Sequence, residues 1–171
     1  LYYDSYQKIF NNQKMISTLE DYNNNTPPSK FTIPDDRKIS EYTAECYSVL
    51  NDLCTLGNVK KMYIPKMINS NKSLKENQNL YEKEVANKLN VKPAGKILEL
   101  GCGCGRIAHH MSQETKCQVY GINIDEKQLN DAKEFAKQNK TNNEFIFSDY
   151  NDILPFPDNM FDGIYEFGAF T

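Results

Sequence analysis

Three glycines and two cysteines lie within five consecutive positions, 101–105, of the stretch KILELGCGCGRIAHHM. Residues of these types could form a thiolate metal or redox site on Cys102 and Cys104, or a glycine loop whose bare backbone lets a ligand approach. Structural zinc sites usually separate paired cysteines by roughly two to four residues and add a second pair of ligands. This loop has Cys-x-Cys spacing and no matching pair, so we predict no metal site. The cysteines are then small spacers between glycines.

Glu99 directly precedes the loop and helps to decide which of two classes of ligand the loop binds. Dinucleotide enzymes favour G-x-G-x-x-G, which accepts a pyrophosphate, but Gly101, Gly103 and Gly105 have the spacing G-x-G-x-G. An acidic residue before the first glycine would repel a pyrophosphate and attract the ammonium group of an amino-acid moiety. The loop is therefore expected to bind a ligand with a cationic end.

The elements around the loop alternate between strand-like and helix-like patterns. KILEL, CQVYGI, EFIFS and MFDGIYEF are predicted to be strands, and RIAHHMSQ and DEKQLNDAKEFAKQNK to be helices, the second with Asp125 as its N-cap. This order is typical of an α/β protein with an open, mostly parallel sheet. Ligands of such a sheet bind at the carboxyl ends of the strands, so the glycine loop lies where a site is expected.

The chain before the first strand is predicted to be largely helical. Apolar spacing predicts three helices, over residues 1–22, 42–57 and 74–90. Consecutive prolines mark a linker near residues 23–30. We predict an N-terminal helical cap region over residues 1–73 and a ligand-binding domain over residues 74–171. An aromatic stripe near the N-terminus could cover a substrate, but such a stripe is more often core; it comprises Tyr2, Tyr3, Tyr6 and Phe10.

Composition argues against several kinds of partner. The formal net charge of −3, with both signs interspersed, gives no positive face for nucleic acid. No stretch reaches the about 18 apolar residues that a membrane-spanning helix needs. Five scattered cysteines do not resemble a secreted disulfide framework. We therefore expect a soluble, cytoplasmic protein with reduced thiols.

Three segments together resemble one known family. ILELGCGCG resembles the first motif of class I S-adenosylmethionine-dependent methyltransferases, a hydrophobic strand followed by an acidic residue and G-x-G-x-G. VYGINIDEKQL resembles the family's ribose-binding segment, and FSDYNDILPFPDNMFDGIYEF its adenine-binding segment. The asparagine at the ribose position, the LPFPDNMFDGIY run and the upstream YSVLNDLCTLG are similar to sterol C-methyltransferases and related small-molecule methyltransferases.

The resemblance implies a Rossmann-like class I methyltransferase fold, a three-layer αβα arrangement with a mostly parallel sheet and an N-terminal helical extension. It also implies S-adenosylmethionine as cofactor, with Glu99 at the methionine end, Asn123 and Gln128 at the ribose, Ile124 against the adenine face and Asp149 at the adenine amino group. The implied cofactor residues are Glu99, Gly101, Cys102, Gly103, Gly105, Asn123, Ile124, Gln128, Asp149 and Tyr150.

The implied reaction is methyl transfer to a small-molecule or lipid acceptor, with a sterol carbon among the candidates and peripheral membrane association in that case. A cation formed on a sterol alkene could be stabilised by Tyr165, Glu166 or Phe170. His109 and His110 follow the loop on a helix that leads away from the crevice, so packing or surface roles are expected.

Three alternatives stay open: an N-methyltransferase acting on a small amine such as phosphoethanolamine, an NAD-dependent oxidoreductase with Asp125 as ribose ligand, and a non-catalytic cofactor-binding module. Members of the family have more strands than the four predicted here, so the C-terminal strands are expected to be missing. We expect such a chain to expose an apolar sheet edge, bind cofactor weakly and show no turnover.

Overall fold

Helices and strands alternate along the chain as the sequence pattern predicted. The computed structural model describes Tyr47, Leu50, Cys54 and residues 59–169. In chain order the elements are α1 (Leu74–Leu89), β1 (Lys96–Leu100), α2 (Arg106–Thr115), β2 (Gln118–Asn123), α3 (Glu126–Gln138), β3 (Glu144–Phe147) and β4 (Gly163–Glu166).

Several N-terminal predictions lie outside the described residues, namely the helix over residues 1–22, the linker and the aromatic stripe. Of the helix predicted over residues 42–57, the structure describes Tyr47, Leu50 and Cys54, and all three are helical. No helix in the described part of the chain is both long and apolar enough to cross a membrane.

The four strands form one parallel sheet in the order β3-β2-β1-β4. β1 is an inner strand, and its residues Ile97 and Leu98 are fully buried because both faces of the sheet are covered. The strand register places Glu99 beside Gly121 of β2 and Tyr165 of β4. The carboxyl ends of β1, β2 and β4 therefore meet at the same edge of the sheet.

The two faces of the sheet are covered differently. On one face, all three helices contribute to the same core cluster, through residues that include Ala86, Ala108, Met111, Leu129 and Ala132. The other face carries Leu98, Tyr120 and Ile122, and the segment 150–161 packs on it. Within residues 61–169, α1, α2 and α3 all pack on the first face, and the segment 150–161 covers the second face.

Helix α1 buries polar residues on its inner face, which its apolar spacing did not predict. Tyr81, Val85 and Leu89 are only partly buried, whereas Asn77 and Glu82 are fully buried. A capping box starts the helix: the Ser73 hydroxyl accepts from the Glu76 N–H at 3.3 Å, and the Glu76 carboxylate accepts from the Ser73 N–H at 2.9 Å.

The chain divides into two compact units, Leu1–Lys60 and Lys61–Thr171. Residues 61–73 belong to the second unit because their backbone is bonded to α1. Gln78 Nε2 donates to the carbonyls of Lys61 and Tyr63 at 3.2 and 2.9 Å. The compact unit that contains α1 and the sheet therefore starts at Lys61.

Candidate cofactor site

The glycine loop is a tight turn between β1 and α2. Gly101, Gly103 and Gly105 all have positive φ, at 67°, 49° and 70°. The Cys102 N–H donates to the Ile122 carbonyl at 2.9 Å, which ties the loop to β2, and the Gly105 N–H donates to the Cys102 carbonyl at 3.0 Å. The loop is thus held in a conformation that side-chain-bearing residues rarely adopt.

Close packing adds a second reason for glycine at two of these positions. A Cβ on Gly105 would lie 2.8 Å from Phe145 Cζ and 2.9 Å from Ala132 Cβ. A Cβ on Gly101 would lie 2.6 Å from Ala169 Cβ. Gly105 lets α2 approach β3 and α3, and Gly101 lets the chain after β4 lie against the loop.

The loop cysteines lie in a packed environment. Cys102 is buried, and a Cβ on Gly121 would lie only 2.8 Å from its Sγ. Burial raises the pKa of the Cys102 thiol well above its usual range and that of Cys104 to about 11. Both are therefore neutral thiols at pH 7, unlike the thiolates that ligate metals. No group of three or more His, Cys, Asp or Glu side chains among the described residues could hold a metal ion.

Glu99 is the most unusual charged residue of the loop region. Its side chain is only 1% exposed, and burial raises the pKa of its carboxyl to about 8. The Tyr165 hydroxyl, the Lys61 ammonium and the Ala108 N–H in the first turn of α2 lower that pKa in part. Within the described residues, neither Glu99 Oε2 nor Tyr165 Oη has a hydrogen bond of good geometry. At pH 7 Glu99 is therefore mainly a neutral acid with an unused oxygen.

The end of β2 brings two amides beside the loop. Asn123 Nδ2 donates to Gln128 Oε1 at 2.9 Å, and a Cβ on Gly103 would lie 3.5 Å from the same oxygen. Ile124 follows directly and is partly buried. Asp125 is the N-cap of α3, as predicted, because its Oδ1 accepts from the N–H groups of Lys127 and Gln128. Asp125 Oδ1 is thus committed to the helix, whereas its buried Oδ2 has no hydrogen-bond partner among the described residues.

Asp149 and Tyr150 follow β3, and Asp149 bonds locally whereas Tyr150 bonds to a distant part of the chain. Asp149 Oδ1 accepts from the backbone N–H and the side-chain amide of Asn151, each at 2.9 Å, in an Asx turn. Tyr150 Oη donates to the Ala169 carbonyl at 2.9 Å. The Ser148 N–H donates to the Asn123 carbonyl at 3.2 Å, so this segment is joined to the end of β2.

The candidates in and after β4 occupy different environments. Tyr165 is buried on the same sheet face as Glu99, away from solvent. Glu166 Oε2 accepts from the Ala169 N–H at 2.7 Å, so its carboxylate holds the turn after the strand. Phe170 lies outside the described residues. The placement of Tyr165 favours a role beside Glu99 over contact with an acceptor.

A buried charged cluster beside the loop was missed by sequence reasoning. Glu82 of α1 is fully buried and contacts Lys61 Nζ at 2.5 Å, Tyr63 Oη at 2.5 Å and His110 Nδ1 at 2.7 Å. These partners are up to 28 residues away in sequence, so no local pattern reveals them. His109 packs edge-on against Phe135, with the ring centroids 5.3 Å apart, as expected, whereas His110 bonds to Glu82 within the buried cluster.

Comparisons with known proteins agree with this geometry. Residues 97–171 match the methyltransferase domain family. The chain is 27% identical to 24-methylenesterol C-methyltransferase 2 of Arabidopsis thaliana over 98% of this chain and 42% of that protein. It is 34% identical to sterol 24-C-methyltransferase ERG6B of Gibberella zeae over 52% of this chain and 24% of that protein. The chain thus spans less than half the length of these relatives.

Solved structures confirm the fold. The cyclase SpnF superimposes with a TM-score of 0.67 at 22% identity, over 73% of this chain and 47% of that one. At this identity the likeness concerns the fold alone, because one fold can carry different reactions. Residues 97–171 therefore resemble the methyltransferase domain family, and the chain has the Rossmann-like class I methyltransferase fold.

Proposed function

We propose that this protein binds S-adenosylmethionine at the carboxyl edge of the sheet and transfers its methyl group to a small-molecule or lipid acceptor. The observation that carries the proposal is Glu99, a fully buried carboxyl with an unpartnered oxygen, placed directly before a loop of positive-φ glycines. A dinucleotide pyrophosphate would meet an acid at this point. An ammonium group would find a partner there.

The polar groups along the edge of the sheet fit the other parts of this cofactor. The Asn123 and Gln128 amides offer donors and acceptors for ribose hydroxyls, next to Gly103. Asp149 and Ile124, after β3 and β2, are assigned to the adenine amino group and the adenine face, with Tyr150 beside them. Gly101, Cys102 and Gly105 shape the loop that supports the methionine end.

Glu99 and Tyr165 are assigned a joint role at the methionine end. Glu99 must lose its proton to pair with an ammonium, and its buried carboxyl must become accessible for direct contact. Tyr165 Oη can then donate to the ionised carboxylate, since it lowers the pKa of Glu99. Tyr165 is therefore a positioning residue in this proposal.

When bound, S-adenosylmethionine supplies an electrophilic methyl group on a positively charged sulfur. The tasks left to the chain are to align the acceptor in line with that methyl and to exclude water. The names of the relatives favour a sterol carbon as the acceptor. We propose residues 74–171 as the cofactor-binding domain, residues 1–73 as the region that caps the acceptor, and a cytoplasmic location with peripheral contact to membranes.

Calorimetric titration of the chain with S-adenosylmethionine, and separately with NAD, tests the cofactor. Binding of NAD without binding of S-adenosylmethionine would overturn the proposal in favour of an oxidoreductase. Incubation with methyl-labelled cofactor and either a sterol or phosphoethanolamine then tests the acceptor. Label in the sterol supports C-methylation, label in the amine supports the alternative, and binding without any transfer would indicate a non-catalytic module.

A further inference from the structure

One part of the surface combines exposed apolar side chains with lysines. Residues 61–75 contain no acidic residue. Ile64 is 89% exposed, and Met67, Ile68 and Leu74 are between 42% and 56% exposed. The interleaved lysines are Lys66, Lys72 and Lys75, all exposed. We call these seven residues the apolar-lysine surface.

Buried side chains of α1 hold this surface in place. Asn77 Oδ1 accepts from the N–H groups of Ile68 and Asn69 at 3.0 and 2.9 Å, and Asn77 Nδ2 donates to the carbonyls of Asn69, Lys72 and Ser73. Because the backbone is fixed by these bonds, the exposed apolar side chains of the segment are not needed to hold it against the helix.

We propose that the apolar-lysine surface binds membranes that contain anionic lipid. Apolar side chains can enter the boundary between headgroups and acyl chains, while lysines are attracted to the negative surface of such a membrane. The chain as a whole has a formal net charge of −3, whereas residues 61–75 contain four lysines and no acidic residue. The inference does not rest on the proposed methyl transfer.

A lipid surface fits this composition better than a protein partner does. Lysine is depleted at protein interfaces relative to the rest of the surface, whereas it is favoured near anionic lipid. Two of the lysines have acidic neighbours on α1, with Lys72 Nζ 3.1 Å from Glu76 and Lys66 Nζ 3.9 Å from Glu84. Exposed ion pairs of this kind contribute little, so the lysines can exchange them for lipid phosphates.

The apolar-lysine surface also adjoins the edge of the sheet that carries the candidate site. Tyr63, one residue before Ile64, stacks at a tilt on Phe167 with the ring centroids 5.0 Å apart. Phe167 follows directly after β4. The segment that carries the surface is therefore attached next to the carboxyl end of β4.

Co-sedimentation with vesicles, without any cofactor, tests the proposal. The chain is expected to bind vesicles of equimolar phosphatidylcholine and phosphatidylserine and to bind phosphatidylcholine alone much more weakly. Replacing Lys66, Lys72 and Lys75 together by Gln should weaken binding to the mixed vesicles by about tenfold to a hundredfold. The matched control replaces three exposed lysines of the α3 region, Lys133, Lys137 and Lys140, and should bind as the wild type does.

A second variant tests the apolar contribution. Ile64→Ser with Met67→Ser should weaken binding to the mixed vesicles by at least about tenfold, whereas Ile153→Ser, at an isoleucine that is 99% exposed elsewhere, should not. Circular dichroism checks that each variant is folded. Equal binding to both vesicle types, or an equal loss in the lysine control, would overturn the proposal. So would a dimer that the Ile64 variant abolishes while vesicles stay unbound. None of these results bears on methyl transfer.

Discussion

Replacing Glu99 by Gln should have opposite effects on folding and on cofactor binding. The pKa of the folded carboxyl is about 8, against 4.5 for the ordinary group. Below pH 4.5 the acid is neutral in both the folded and the unfolded chain, so its ionisation does not affect stability. As the pH rises from 4.5 toward 8, the unfolded chain ionises and the folded chain does not, so the free energy of unfolding falls. At pH 7, which is about 2.5 units above the ordinary pKa of 4.5, the free energy of unfolding is lowered by about 3 kcal/mol.

Gln cannot ionise, so Glu99→Gln should raise the free energy of unfolding by up to about 3 kcal/mol at pH 7. The gain should disappear near pH 4.5. Urea unfolding followed by circular dichroism across this range measures it. Glu134→Gln, at an exposed position on α3, is the matched control and should show no such pH-dependent gain.

The same substitution should weaken S-adenosylmethionine binding by about 1 to 3 kcal/mol, the usual scale for losing a charged hydrogen-bond partner. In the wild type, affinity should rise by about tenfold from pH 6 to pH 7, because Glu99 must ionise to pair with the ammonium. Calorimetry at these pH values measures both. If Glu99→Gln destabilises the fold at pH 7, the carboxyl is ionised and paired without ligand; if affinity is unchanged, its cofactor role is wrong.

Three further substitutions test the packing and the site. Gly105→Ala should lower the free energy of unfolding by about 1 to 3 kcal/mol, because φ is 70° and the added Cβ would meet Phe145 and Ala132, and urea unfolding measures it. Glu82→Gln should cost about 3 kcal/mol, since it leaves Lys61 without its charged partner. Burial alone would raise the pKa of Glu82, but its hydrogen bonds outweigh burial and hold the pKa below 4.5. The stabilisation that the ionised Glu82 provides should therefore be lost in the wild type as the pH falls through the pKa of the folded state. Asn123→Ala should weaken S-adenosylmethionine binding by about fivefold to tenfold with little change in stability, as calorimetry and unfolding can show.

Local patterns predicted the parts of the fold that local forces determine. The order of strands and helices follows from apolar periodicity, and the Asp125 cap from a side chain that reaches N–H groups two and three residues ahead. The glycine loop was predicted because its backbone conformation needs residues without a Cβ. β4 is shorter than the run MFDGIYEF suggested, since Phe161 turns to the second face of the sheet and packs against Phe156, with centroids 4.9 Å apart.

Long-range bonds decided the parts that sequence reasoning could not reach. The polar residues Asn77, Gln78 and Glu82 are buried on α1, where an amphipathic pattern would place apolar ones. Their partners lie before the helix or on α2, and only the folded chain brings them together. The Tyr150 hydroxyl similarly bonds to the carbonyl of Ala169, which lies 19 residues further along the chain.

The polar face of α1 has a consequence for how this protein can diversify. Asn77 and Gln78 bond to backbone atoms of residues 61–73, so the geometry of the segment does not depend on which outward side chains it carries. Ile64, Met67 and Ile68 can then be exchanged with little loss of stability, and the outer chemistry is free to change while the scaffold is kept. The outward side chains of the segment can therefore vary independently of its backbone. A library randomised at those three positions should yield mostly folded proteins with different surface preferences.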